Sequence, residues 1–206
     1  MNVTNRRAPG SPQREAILVA ATAIFLRYGF KKTSMDDVAR AAGVSRQGLY
    51  LYFDTKDLLF SESLQHLMSR LISNARAAAE DGNLSLRDRL LGAFEAVHCS
   101  AFHNASREDA LELLQSAQSA AGALLVQSER DLMGIAAALL TEAGVADRWE
   151  EAGVTVAELA EQLLMSAKGI KTSVDTLAAY RERMLTAIKI VMPGPASQVF
   201  MNERER

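Results

Sequence analysis

TSMDDVARAAGVSRQGLYLYF, residues 33–53, is the stretch that decides the fold. Thr33 and Ser34 are helix N-cap residue types, and Asp36 and Asp37 follow at the capping-box offset, an acid standing in for the usual Glu. Met35, Val38 and Ala39 repeat at helical spacing, which predicts a helix from Ser34 to about Ala41 with one buried side. Gly43 can take the left-handed conformation that ends a helix, and Val44 can fill the elbow. Ser45 caps a second short helix, with Leu49 and Phe53 inward and Arg46, Gln47, Tyr50 and Tyr52 left outside. Two helices with a glycine-containing turn of this length describe a helix-turn-helix, whose second helix enters the major groove of DNA.

The outer face of that second helix carries side chains able to reach base edges. Arg46 can grip guanine through O6 and N7, and Gln47 can pair with adenine through N6 and N7. Tyr50 and Tyr52 suit phosphate contacts that set register, and Lys56, opening the next helix, can neutralise a phosphate. A surface helical hairpin with incidental polar residues would show the same periodicity, so the pattern alone leaves both open.

More of the surrounding sequence is shared with a known family. Gly29-Phe30, Thr33 through Ala39, Ala41 through Ser45, Leu49-Tyr50-x-Tyr52-Phe53 and Thr55 through Leu59 together resemble the N-terminal domain of the TetR (tetracycline-repressor-like) family. The likeness covers roughly residues 12–60, and beyond it only helical character and length agree. It implies an all-α chain of about nine helices. A three-helix DNA-binding domain over 11–55 would precede a helical effector-binding and dimerisation domain over 56–192. The implied DNA-contacting set is Thr33, Ser34, Ser45, Arg46, Gln47, Gly48, Tyr50, Leu51, Tyr52 and Lys56. A homodimer on an inverted-repeat operator, acting as a repressor and released by a small-molecule effector, is what such a member would be; no enzyme activity and no cofactor is implied. One departure stands out: many members place Gly where this chain has Gln47, and Gly48 comes one residue later, so the helix reads a different sequence here.

Composition agrees. With 206 residues and 49% hydrophobic content the chain can bury a substantial core. A lone cysteine rules out an internal disulfide framework, and no secretory leader or run of about 18 apolar residues is evident, so cytoplasmic residence without membrane attachment is expected. The net charge of −2 hides an asymmetry. Through residue 60 there are nine Lys/Arg and five Asp/Glu, a net of +4; the rest carries fourteen and twenty, a net of −6. A basic head on an acidic body fits a protein of which only the head meets a polyanion.

Along the chain, residues 1–10 with Arg6 and Arg7 read as a disordered basic arm. Ser11-Pro12 starts a first helix whose apolar face is Ile17, Ala21, Ile24, Phe25 and Tyr28, stopped by Gly29. Asp54-Thr55 caps a long helix from Lys56 to about Ala79, with Leu58, Leu59, Leu64, Leu67, Met68, Leu71 and Ile72 inward. Further helices are expected from Ser85 to about Ala101, from Arg107 to about Ala117, from Leu124 to Ala143, from Thr155 onward, and from Val174 to Met192. The Gln/Ser/Ala/Gly-rich segment 118–122 reads as a link, 144–153 as a loop holding Trp149, and 193–206 as a tail. Ala160, Ala167, Gly169 and Ala178 permit close helix approach in a dimer interface or in the monomer core.

Other residues invite chemistry. Glu95-x-x-His98 is half of a di-iron carboxylate signature with no second half, which leaves a helical-bundle metalloenzyme remote. His98, Cys99 and His103 could build a metal or thiol sensor, although zinc would need further ligands and no metal site is expected. The expected effector pocket draws on His66, Leu90, Phe94, His98, Phe102 and Leu124.

Overall fold

The computed structural model describes residues 11–99 and 107–192, with the backbone alone for 107–121. Nine α-helices and no strand occur among the described residues, so the all-α expectation holds. The expected arm, the tail, Phe102 and His103 lie outside them. α1 (Pro12–Tyr28), α2 (Met35–Ala41) and α3 (Arg46–Tyr50) come first; α4 (Lys56–Glu80) follows. Then come α5 (Leu86–His98), α6 (Arg107–Glu142), α7 (Ala146–Glu150), α8 (Val156–Ser173) and α9 (Leu177–Val191). No helix among the described residues is long and apolar enough to cross a membrane.

Most helix starts fall where the sequence offers a cap, although α9, expected from Val174, begins at Leu177 behind Thr176, and α5, expected to about Ala101, ends at His98. Ser11, Ser34, Ser45, Ser85, Thr155 and Thr176 each accept a backbone N–H at their helix N-terminus. At Ser34 and Thr155 the capping box is reciprocal, through Asp37 and Glu158. Bonds from Ser34 hold the Asp37 carboxyl below the usual range, and bonds from Thr155 do the same for Glu158.

The expectation of two helices split at 118–122 is corrected: α6 runs unbroken from Arg107 to Glu142. Gln, Ser and Ala do not break helices, and one interior glycine costs only about 1 kcal/mol. The expected loop 144–153 contains α7, and the indole N–H of Trp149 donates to Val191 O at 3.0 Å, tying that segment to the end of α9. Tyr28 and Leu58, expected inward, are exposed; the Arg27 guanidinium covers the Tyr28 ring at 5.1 Å instead.

The described chain divides into two compact units. One comprises 11–71 and 107–128, the other 72–99 and 129–192, so the division falls within α4 rather than before it. The reason is that Leu59, Phe60 and Leu64 belong to the core of the first unit, packed with Ile17, Phe25, Val38, Leu49 and Phe53. Phe25 and Phe60 meet edge to face at 5.0 Å, and Arg14 pairs with Glu62 while lying 5.0 Å from the Phe53 ring centre. The second unit is built on α5, α8 and α9, which bury Leu90 and Phe94, Ala160, Leu163 and Ala167, and Tyr180, Met184 and Ile188.

Candidate nucleic-acid interface

Three devices set the angle and exposure of α3. Gly43 turns the chain at φ 66°, a conformation that suits glycine. The Ser45 hydroxyl accepts the Gly48 N–H at 3.0 Å and starts the helix. Leu49 and Phe53, both fully buried, anchor its inner side. Arg46, Gln47 and Tyr50 are left exposed on the outer side, as expected. Arg46 Nη1 pairs with Asp36 Oδ2 at 2.7 Å, and its guanidinium lies 5.8 Å from the Tyr50 ring centre.

Not every residue in the expected set faces outward. Thr33 is buried, and its hydroxyl donates to Gly29 O at 2.7 Å, closing the end of α1; that occupation takes it out of the outward-facing set. Tyr52 follows α3 rather than sitting on it and is half-buried against the first unit's core. Leu51, the residue after the helix, is exposed. Ser34 and Ser45 spend their hydroxyls on caps. Gly48 has a structural reason to be small: a Cβ there would sit 3.0 Å from the Ser45 hydroxyl.

Lys56 is the largest change. Its ammonium donates to Phe30 O at 3.0 Å and Thr33 O at 3.1 Å and lies 4.2 Å from the Phe30 ring centre. The side chain expected on a phosphate therefore clamps the turn that leads into α2. An ammonium beside two carbonyls and an aromatic face is well placed for this, and sequence spacing gives no sign of it.

The residues expected around an effector divide between the units. His66 and Leu124 fall in the first, where Leu124 packs on the core of α1–α4; Leu90, Phe94 and His98 are buried in the second. His98 stacks between Phe94 at 6.1 Å and Tyr180 at 6.4 Å, and its Nδ1–H donates to Phe94 O at 3.1 Å. Burial, aided by Lys171 and Lys168, lowers the His98 pKa to about 4. Cys99 is likewise buried, which pushes its thiol up to about 12, with Glu95 adding to the rise. A thiol in that state is not the low-pKa, accessible group that redox sensing uses. The Glu95 carboxylate is bound by Arg181 at 2.5 and 3.0 Å, so the half-signature Glu95-x-x-His98 serves packing and an ion pair. No group of three or more metal-ligating side chains occurs among the described residues.

A helix-turn-helix with an exposed, polar second helix defines a DNA-binding protein. Residues 17–62 match the family described as bacterial regulatory proteins, tetR family. The transcriptional activator FasR of Mycolicibacterium smegmatis is 35% identical over 95 residues, 46% of this chain and 43% of that protein. The chain thus spans less than half of that relative. Over 92% of this chain and 100% of the other, the structure of a TetR-like transcriptional regulator from Rhodococcus sp. RHA1 is similar, with TM-score 0.61 and 26% identity. Escherichia coli NemR in its reduced form shares the fold, with TM-score 0.69 and 16% identity over 89% of this chain and 100% of NemR. Residues 17–62 thus match the tetR family, and the chain shares the fold of a TetR-like regulator over nearly its whole length.

Proposed function

We propose that the protein is a cytoplasmic, ligand-responsive repressor that binds an inverted-repeat operator as a homodimer and leaves it when a small molecule binds. The observation that carries this is the outer face of α3. Arg46 and Gln47 stand exposed on a helix whose opposite side is locked by Leu49 and Phe53. Those two side chains are the base readers, and Tyr50, with the exposed Lys31 and Lys32, meets phosphates.

For the dimer, α8 and α9 leave Met165, Gly169, Ala178 and Ile190 exposed, while Ala160 and Ala167 are used inside. A glycine with open space at its Cβ and two large apolar side chains at the surface suit helix-on-helix association. A two-fold dimer would present two α3 helices to half-sites about 34–36 Å apart, or a multiple of that. An effector acts by favouring one spacing of the heads over the other. α4 and α6 both have residues in the two units, and α4, which follows α3 directly in the chain, is the transmitting helix of this reading.

The test is selection of duplexes from a randomised pool by the full-length protein, followed by footprinting and sedimentation. An inverted repeat protected by a dimer is the expected outcome. A monomer at micromolar concentration, or enrichment of no sequence, would reject the proposal.

A further inference from the structure

The first turn of α2 carries two adjacent carboxylates, and the fold uses them differently. Asp37 closes the capping box, accepting from the Ser34 backbone at 3.0 Å and its hydroxyl at 2.6 Å. Asp36 accepts from Arg46 Nη1 at 2.7 Å, bridging from α2 to α3. One turn along α3, the Tyr50 ring lies 5.8 Å from the same guanidinium. An acid on one helix and a ring on the next thus hold a long side chain in the face that α3 offers to DNA. Both partners are open to solvent, at 63% and 47% side-chain exposure, so the pair can exchange with a ligand.

We propose that Asp36 is a specificity-determining residue, which holds Arg46 along α3 so that its free edge meets a base rather than the nearest phosphate. The inference rests on the DNA-reading face proposed above. A guanidinium has five N–H donors in a planar fork. Asp36 occupies Nη1, and the edge formed by Nε and Nη2 keeps two parallel donors, the pair that guanine O6 and N7 accept. An unrestrained arginine would find phosphate on every duplex, where the contact carries no sequence information. The Asp36 charge also repels the phosphate chain on all sequences alike. An exposed ion pair of this kind is worth about a two- to five-fold shift in an equilibrium.

The experiment compares a duplex selected by the full-length protein with a random duplex of equal length, for the wild type, Asp36→Asn, Arg46→Ala and the double variant. Asp36→Asn should tighten binding to random DNA by about two- to five-fold, while the selected duplex gains less or loses, so the selected-to-random ratio falls. In the Arg46→Ala background the same substitution should shift both duplexes by one common factor. Melting curves show whether α2 still folds, and Asp36→Glu, which keeps the charge, should restore part of the ratio. An unchanged or higher ratio in Asp36→Asn overturns the proposal, and so does an equal fall without Arg46. Nitrogen NMR of the Arg46 side chain in DNA-free protein separates this failure from that of the DNA-reading face. A wild type that selects no duplex removes the face, and this inference with it, even where the resonance shows the pair intact. A resonance unaffected by Asp36→Asn removes the pair while leaving the face standing.

Discussion

The two units bury different kinds of polar side chain. In the first, Arg46, Gln47 and Ser45 stand at the surface, and what is buried is small hydroxyls bonded to backbone carbonyls, Thr33 to Gly29 and Ser63 to Leu59. In the second, His98 and Tyr180 are buried among Phe94 and Met184, with Glu95 and Arg181 paired beside them. The difference teaches where change is cheap. A surface reader can be exchanged for another without disturbing the fold, whereas each buried polar group is tied to stability through its desolvation.

The sharpest way to break the comparison is in the apolar core of the first unit. Phe53 is fully buried beneath α3 and under the Arg14 guanidinium. Phe53→Ala should cost about 3–5 kcal/mol and abolish DNA binding together with folding of the head. Chemical denaturation measures this; a loss below about 1 kcal/mol would mean that α3 is not anchored there.

The next effect belongs to the second unit and to pH. His98 has a pKa near 4 in the folded protein, against about 6.5 in an unfolded chain. Above pH 6.5 the ring is neutral in both states. As pH falls, the unfolded chain takes the proton first, so stability drains between about 6.5 and 4 and the loss levels off below, at about 3 kcal/mol. Comparing urea unfolding at pH 7 and pH 4.5 for the wild type and His98→Gln isolates this part from the general titration of carboxylates. The variant should lose about 2–3 kcal/mol less. Equal losses would show that the ring is not held neutral by burial.

How much of this was legible in the sequence differs between the units for a physical reason. Caps, turn glycine and apolar spacing are local, so α2, the turn at Gly43 and the inward Leu49 and Phe53 could be read directly. The exposure of Arg46 and Gln47 followed, because what is not needed for packing is left outside. Long-range partners are not local. Nothing in the spacing of Lys56 reveals Phe30 O and Thr33 O as its acceptors, and nothing near Thr33 shows that its hydroxyl turns inward to Gly29. The break expected at 118–122 failed because small polar residues suggest a link, although their helix propensity permits α6 to continue. The proposed pocket was drawn from apolar character, which any helical core shares.

Within the head, Lys56 and Arg46 sharpen the contrast between clamp and reader. Lys56→Ala removes a charged donor from two carbonyls, so it should cost about 1.5–3 kcal/mol of stability. Binding to all duplexes should weaken with the slope of affinity against salt unchanged. A slope flatter by about one charge would return Lys56 to the phosphate-binding set. Arg46→Ala should leave stability nearly intact yet lose about 1–3 kcal/mol on the selected duplex, with relaxed preference at one base. An equal loss on random DNA would make Arg46 a phosphate contact.

The smallest effect compares the two caps that flank the turn. Ser34 works in a reciprocal box with Asp37, while Ser45 caps α3 through a single bond to the Gly48 N–H. α3 has five residues, too few to persist without its cap and its two buried anchors. Ser45→Ala should therefore cost about 1 kcal/mol. Because α3 carries the proposed readers, that loss should fall on the selected duplex as a modest weakening, seen in titration beside the melting curve. Ser34→Ala removes the hydroxyl that accepts the Asp37 N–H and donates to the Asp37 carboxylate, and the proposed base readers lie on α3 rather than α2. Its cost should appear in the melting curve at least as strongly as that of Ser45→Ala, with less effect on binding. If Ser45→Ala melts like the wild type, the buried Leu49 and Phe53 hold α3 without the cap, and the hydroxyl becomes available to a phosphate instead.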